Sequence, residues 1–88
     1  MSEIKTKVVN KNGMHMRPAM MVVDKASTFE SDIEISTDHS VADAKSIMEL
    51  TMLAAVKGTK IKIKATGKDA DIAVRDIHAL FESGFNGG

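Results

Sequence analysis

The amino-acid sequence predicts an α+β fold: an open-faced β-sandwich in which three helices cover one face of a four-stranded antiparallel sheet, in the order βαββαβα. Three observations carry that prediction. Segments with apolar residues at every second position alternate with segments in which they recur every third or fourth, the periods of strand and helix. The strand-like segments put Ile4, Val8, Ile33, Ile35, Ile61 and Ile63 on one face and lysines on the other, so one face needs covering and the other is solvated. Glycines at 13, 58, 67 and 84 fall where one period gives way to the next.

The elements follow in order. Ile4, Thr6 and Val8 alternate with Lys5 and Lys7 as a half-buried strand, which Asn10-Lys11-Asn12-Gly13 breaks. A loop then carries Met14, His15 and Met16. Pro18 suits the first turn of a helix, and Ala19, Val22, Val23 and Ala26 share one helical stripe, predicting a helix over about 16–27. Ile33 and Ile35, an Asp38-His39 turn and Val41 read as a hairpin. Ser46 and Glu49 have capping-box spacing, with Ile47, Leu50 and Leu53 or Ala54 as the apolar stripe of a second helix running to about 54. Residues 60–65 alternate strictly between lysine and an apolar residue, the clearest strand of the chain. Asp69 is placed to cap a third helix whose core face is Ala73, Val74, Ile77, Leu80 and Phe81, with Asp71, Arg75, His78 and Glu82 in solvent. Residues 1–88 make one domain, and 85–88 are expected to fray.

Composition narrows the function. A chain of 88 residues buries only about two-thirds of its unfolded surface and has little room for an enclosed substrate cavity, so chemistry is expected at the surface. Twelve basic residues balance twelve acidic ones, and no net charge draws the chain to nucleic acid or to an anionic membrane. The absence of cysteine excludes a disulfide framework and fits a reducing compartment. The apolar runs are too short to span a bilayer and no export signal is read, so the expected location is cytoplasmic, without membrane insertion.

His15 is the residue best placed for chemistry. It lies in a glycine-bounded loop at the mouth of the first helix, off any apolar stripe. A helix N-terminus presents unpaired amides and the positive end of its dipole, ready donors for a phosphate on that imidazole. Arg17 adds a planar, permanently charged guanidinium that binds two phosphate oxygens at once. The plain alternative is a loop histidine beside a solvated arginine. Met20, Met21 and Met48 fall off their core stripes, and flexible polarisable side chains suit a surface that meets several partners; the alternative is that they fill the core. The lysine stripe is read as a solvated sheet face and not a nucleic-acid surface, since Phe29, Phe81 and Phe85 all lie outside the strands. His39 and His78 have no metal-ligand spacing with each other or with His15, so no metal is expected.

The stretch Asn12-Gly13-Met14-His15-Met16-Arg17-Pro18-Ala19 resembles the active-site segment of the histidine-containing phosphocarrier HPr of the bacterial phosphoenolpyruvate-dependent sugar phosphotransferase system, and Ala44-Lys45-Ser46-Ile47-Met48 resembles the regulatory serine segment of the same family. The resemblance implies a covalent phosphoryl carrier, not a stand-alone enzyme. Its His15 would accept a phosphoryl group on Nδ1 from enzyme I and pass it to sugar-specific IIA domains, with no cofactor. Arg17 would neutralise charge, and the backbone amides of Met16 and Arg17 would hold phosphate oxygens. Met16 departs from the small or hydroxyl-bearing residue usual in the family, which leaves that work to backbone and Arg17. By the same likeness Ser46 would be phosphorylated by a serine kinase, and Met20, Met21, Ile47 and Met48 would form the docking surface of a monomer. Two further readings stand beside this one: a paralogue in a regulatory, nitrogen-related phosphorelay without sugar transport, and an interaction module whose histidine is never phosphorylated.

Overall fold

A computed structural model describes residues 1–87. The chain runs β1 (Ser2–Lys7), α1 (Met16–Ala26), β2 (Asp32–Ser36), β3 (Val41–Asp43), α2 (Ile47–Met52), β4 (Lys60–Thr66) and α3 (Ala70–Glu82), followed by a short turn, Gly84–Gly87. This is the expected βαββαβα order. One four-stranded sheet has the spatial order β1-β4-β2-β3, antiparallel throughout. The alternating strand β4 therefore sits inside the sheet, paired with β1 on one side and β2 on the other. Its Ile61, Ile63 and Ala65 are buried while Lys60, Lys62 and Lys64 point away. The turn of the β2–β3 hairpin is closed by Thr37, whose amide donates to the Ser40 carbonyl at 2.8 Å and whose Oγ1 accepts from the amides of His39 and Ser40.

The core lies between the sheet and α1 and α3. Ile33, Ile35, Ile61 and Ile63 meet Val22 of α1 and Val74, Ile77 and Phe81 of α3, with Leu50 of α2 closing one end. Ile4, on the outer strand β1, is only half-buried. Each fully buried aliphatic side chain of this set stabilises the fold by about 1.5–3 kcal/mol relative to exposure.

Four expectations need correction. The tail does not fray at Phe85: its ring is fully buried and packs edge-on against Phe81, with centroids 4.9 Å apart. The chain reaches that position through left-handed backbone at Phe85 and Asn86, both at φ 55°. Residue 88 lies outside the described residues. Helix α2 stops at Met52 instead of about 54, because Ala54 adopts φ 52°. The capping box of α2 is only half formed. Ser46 Oγ accepts from the Glu49 amide at 3.2 Å, but the Glu49 carboxylate takes the Asp43 amide at 2.9 Å, while the Ser46 amide donates to the Asp43 carbonyl. Finally, Asp69 precedes α3 without capping it. Its carboxylate instead accepts from the amides of Glu30 and Ser31, at 2.9 and 3.0 Å, and from the Ser31 hydroxyl. These donors, the Ser31 hydroxyl foremost, hold the Asp69 carboxyl below its ordinary value.

Candidate functional site

His15 is the N-cap residue of α1. Its backbone is extended (φ −95°, ψ −170°), and its carbonyl accepts the first helical bond, from the Ala19 amide at 3.1 Å. The imidazole makes no cap hydrogen bond, so the ring is not spent on closing the helix. It is half-buried. Nε2 is shut away from solvent with no hydrogen-bond partner among the described residues.

The first turn of α1 is electrostatically open. Pro18 has no N–H and the Ala19 amide is already bonded, which leaves the amides of Met16 and Arg17 without acceptors among the described residues. No acidic side chain lies in that turn. The positive pole of the helix is therefore not neutralised by the chain itself. Arg17 is exposed and donates from Nη1 to the Phe85 carbonyl at 3.3 Å. Among the described residues the one contact within 4 Å between a basic side chain and a carboxylate is His78 with Glu82, so the guanidinium has no carboxylate competing for it.

The loop that presents His15 is held from below. The Asn10 side chain donates to the Gly13 carbonyl at 2.7 Å, and the Met14 amide donates to the Ala55 carbonyl at 2.8 Å. Met14 is buried, which anchors the loop one residue before the histidine. Gly13 has φ 69°, and a Cβ there would collide with the Ala55 carbonyl. Only glycine lets the two segments approach so closely. The same contact sets the stretch after α2 against the histidine loop, and α2 packs beside α1. Met16 and Met20 on α1 and Ile47 and Met48 on α2 all have exposed side chains, on two helices that pack beside each other. Ser46 stands at the start of α2.

Met52 and Phe85 adjoin the candidate site without having been named for it from the sequence, and Met21 is less exposed than a docking residue was expected to be. Met21 is half-buried and packs against the core. Met52 is exposed one turn after Met48, and that spacing of four was the signal for it. Phe85 enters the site through its carbonyl, and an aromatic residue among Gly, Asn and Ser was the available clue.

None of the site residues lines the concavity of about 620 Å³ that lies among Lys5, Lys7, Lys60 and Lys62 on the open sheet face. No group of three His, Asp or Glu side chains is arranged to hold a metal among the described residues. Among the described residues no helix is long and apolar enough to cross a membrane.

A half-buried imidazole at the start of a helix, with free amides in the turn that follows and a guanidinium paired with no carboxylate, fits a group carrier whose reaction is completed by whatever docks on it. The chain belongs to the HPr family of phosphocarrier proteins of the phosphotransferase system, whose model, described as the PTS HPr component phosphorylation site, matches residues 2–83. It is 38% identical over 80 residues to the phosphocarrier protein NPr of Escherichia coli, covering 90% of this chain and 89% of that one. It is also 38% identical over 86 residues to the phosphocarrier protein HPr of Xylella fastidiosa, covering 98% and 97%. The crystal structure of HPr-C-His from Thermoanaerobacter tengcongensis superposes with a TM-score of 0.93 at 37% identity, over 98% of this chain and 97% of that one. The protein is accordingly a phosphoryl carrier that works through a histidine and not a stand-alone enzyme, with enzyme I and IIA domains as the partners of its family.

Proposed function

We propose that His15 is the phosphoryl acceptor, that it receives the group on Nδ1 from enzyme I, and that it hands the group to a sugar-specific IIA domain. One observation carries this reading: Nε2 is buried without a partner at the unneutralised start of α1, which favours Nδ1 as the nitrogen that takes the group. In each transfer a bond from phosphorus to the incoming nucleophile forms as the bond to the departing group breaks, and no water is consumed. His15 Nδ1 is the nucleophile in the first step and the leaving group in the second. The amides of Met16 and Arg17 bind phosphoryl oxygens, and Arg17 supplies the positive charge as negative charge shifts between donor and acceptor. Because the guanidinium already leans on the Phe85 carbonyl, it is oriented before the phosphoryl group arrives.

The docking face comprises Met20, Ile47 and Met48, with the adjoining Met16 and Met52; Met21 supports it from beneath. Ser46 is the regulatory position. Its hydroxyl oxygen accepts from the Glu49 amide, and the Glu49 carboxylate is drawn off to Asp43, which lessens repulsion toward a phosphate on Ser46. A serine kinase acting there would set a dianion beside the docking face and weaken partner binding. The carrier acts as a monomer in the cytosol, offering the same face to one partner after another.

Enzyme I with labelled phosphoenolpyruvate tests the assignment. The expected label is acid-labile, stable in alkali, and absent from His15→Ala; label retained by that variant rules His15 out. The NPr and HPr relatives match at the same 38% identity, which favours keeping a second reading, a regulatory nitrogen-related relay. Transfer onward to a sugar-specific IIA domain supports the first reading, and a labelled carrier that IIA cannot discharge supports the second.

A further inference from the structure

Four of the seven methionines stand in solvent around the site: Met16 at 59% exposure, Met20 at 46%, Met48 at 70% and Met52 at 72%. They form two pairs, each spaced four residues apart on one face of its helix, and the two helices are neighbours. Of the remaining three, Met14 is buried, Met21 is half-buried and Met1 begins the chain. So dense a set of exposed thioethers is a chemical feature of this surface as well as an apolar one. A solvent-facing methionine is open to oxidation, whereas a packed one is protected.

We propose that Met16, Met20, Met48 and Met52 form a redox-responsive modification site. Hydrogen peroxide oxidises these thioethers to sulfoxides, and the oxidised face no longer docks its partners. The inference rests on the reading of this surface as the docking face. In the step itself a sulfur lone pair attacks one peroxide oxygen, the S–O bond forms as the O–O bond breaks, and the second oxygen leaves as water after taking up the proton of the first. Sulfur loses two electrons and the peroxide gains them. A flexible apolar group becomes a polar, chiral one whose oxygen needs a hydrogen-bond donor whenever a partner covers it. The imidazole is untouched, so the effect falls on association and not on the transfer step. A methionine sulfoxide reductase reverses it.

The test uses the full chain, hydrogen peroxide, and phosphoryl uptake from enzyme I. Peptide mass spectrometry is expected to find one added oxygen on each of these four methionines, and on exposed Met1 away from the site, before Met14 or Met21 reacts. Uptake should fall about tenfold in kcat/KM, the scale of a polar group buried without a partner, with the change in KM, and reductase treatment should restore it. A variant with all four methionines replaced by leucine is compared only with itself before and after peroxide, and it should keep its own rate. A wild-type carrier that bears the four sulfoxides yet takes up phosphoryl groups as before overturns the inference alone, as does a leucine variant that loses as much as the wild type. Unoxidised protein that takes no label from enzyme I overturns the assignment of His15, and this inference with it.

Discussion

The Arg17 guanidinium donates from Nη1 to the backbone carbonyl of Phe85 across 3.3 Å, so the side chain proposed to balance phosphoryl charge is held by a residue 68 positions away in the chain. Phe85 is itself fixed by its edge-on contact with Phe81. Arg17 should therefore be sensitive to two different changes. Arg17→Ala is expected to slow phosphoryl acceptance from enzyme I about a hundredfold, as loss of a charge-stabilising donor does. Arg17→Lys should recover only part of that rate, since an ammonium cannot reproduce the two-pronged geometry. Steady-state labelling of His15 reads both, and full activity in the lysine variant would show that charge alone suffices.

Phe85→Ala separates packing from chemistry. Removing a fully buried aromatic ring costs about 3–5 kcal/mol of stability, and the carbonyl that holds Arg17 loses its anchor. The urea midpoint should fall accordingly. Phosphoryl acceptance measured well below that midpoint should also fall, because the guanidinium has lost its support. A stable Phe85→Ala protein would mean that the terminal turn contributes nothing to the core.

Gly13 couples the histidine loop to the segment after α2. Alanine there meets both the positive φ of 69° and the Ala55 carbonyl. About 1–3 kcal/mol of destabilisation is expected from strain at such a position, together with a displaced His15 and slower labelling. Gly58, also at positive φ but with open space around it, is the control. Gly58→Ala should lower stability through backbone strain alone and leave labelling intact.

Asp69 yields a pH dependence whose sign is set by the structure. Its carboxyl is held below the ordinary value of 3.8 by the Ser31 hydroxyl and the Glu30 amide. A depressed carboxyl binds protons less readily in the folded state than in the unfolded one. The stability it confers is therefore complete above pH 3.8 and is lost as pH falls through the lower folded value. Asp69→Asn should be less stable than the wild type at pH 7, and the gap should narrow in strong acid. Urea melts at pH 7 and below pH 3.8 check this, and a constant gap would remove the carboxylate from the account.

Much of this architecture could be read in the sequence because it is local. The lysine–isoleucine alternation of β4 announces its own two faces, and Ser46 caps α2 within four residues of itself. The place of His15 at the start of α1 was legible for the same reason, since a glycine, a histidine and a proline within six positions mark the mouth of a helix. What the sequence hid was long-range choice. Asp69 had a cap to make nearby, yet Ser31 comes within its reach because Gly67, at φ 146°, lets the Ser31 backbone approach where a Cβ would collide. Glu49 likewise chose the Asp43 amide over that of Ser46. Phe85 was unreadable as a core residue because its burial depends on Phe81 and on left-handed backbone, neither visible in any periodic pattern.

The open face of the sheet carries an imbalance with a measurable consequence. On β4, Lys64 sits opposite Glu3 of β1 and Glu34 of β2, so opposite charges flank it. Lys62 instead faces Lys5 and Ser36, and Lys60 faces Lys7. Like charges directly across a sheet destabilise it and opposite charges stabilise it, by about 0.2–1 kcal/mol per pair. Two charge reversals one step apart on the same strand should then act in opposite directions. Lys62→Glu is expected to raise stability by about 0.5 kcal/mol, because it turns the repulsion with Lys5 into attraction. Lys64→Glu should lower stability by at least as much, since three carboxylates would then stand in a row. Both effects should shrink in molar salt, where exposed charges are screened within about 3 Å. Urea midpoints at low and high salt measure all four values, and equal shifts in the same direction would place the cause in strand propensity and not in charge.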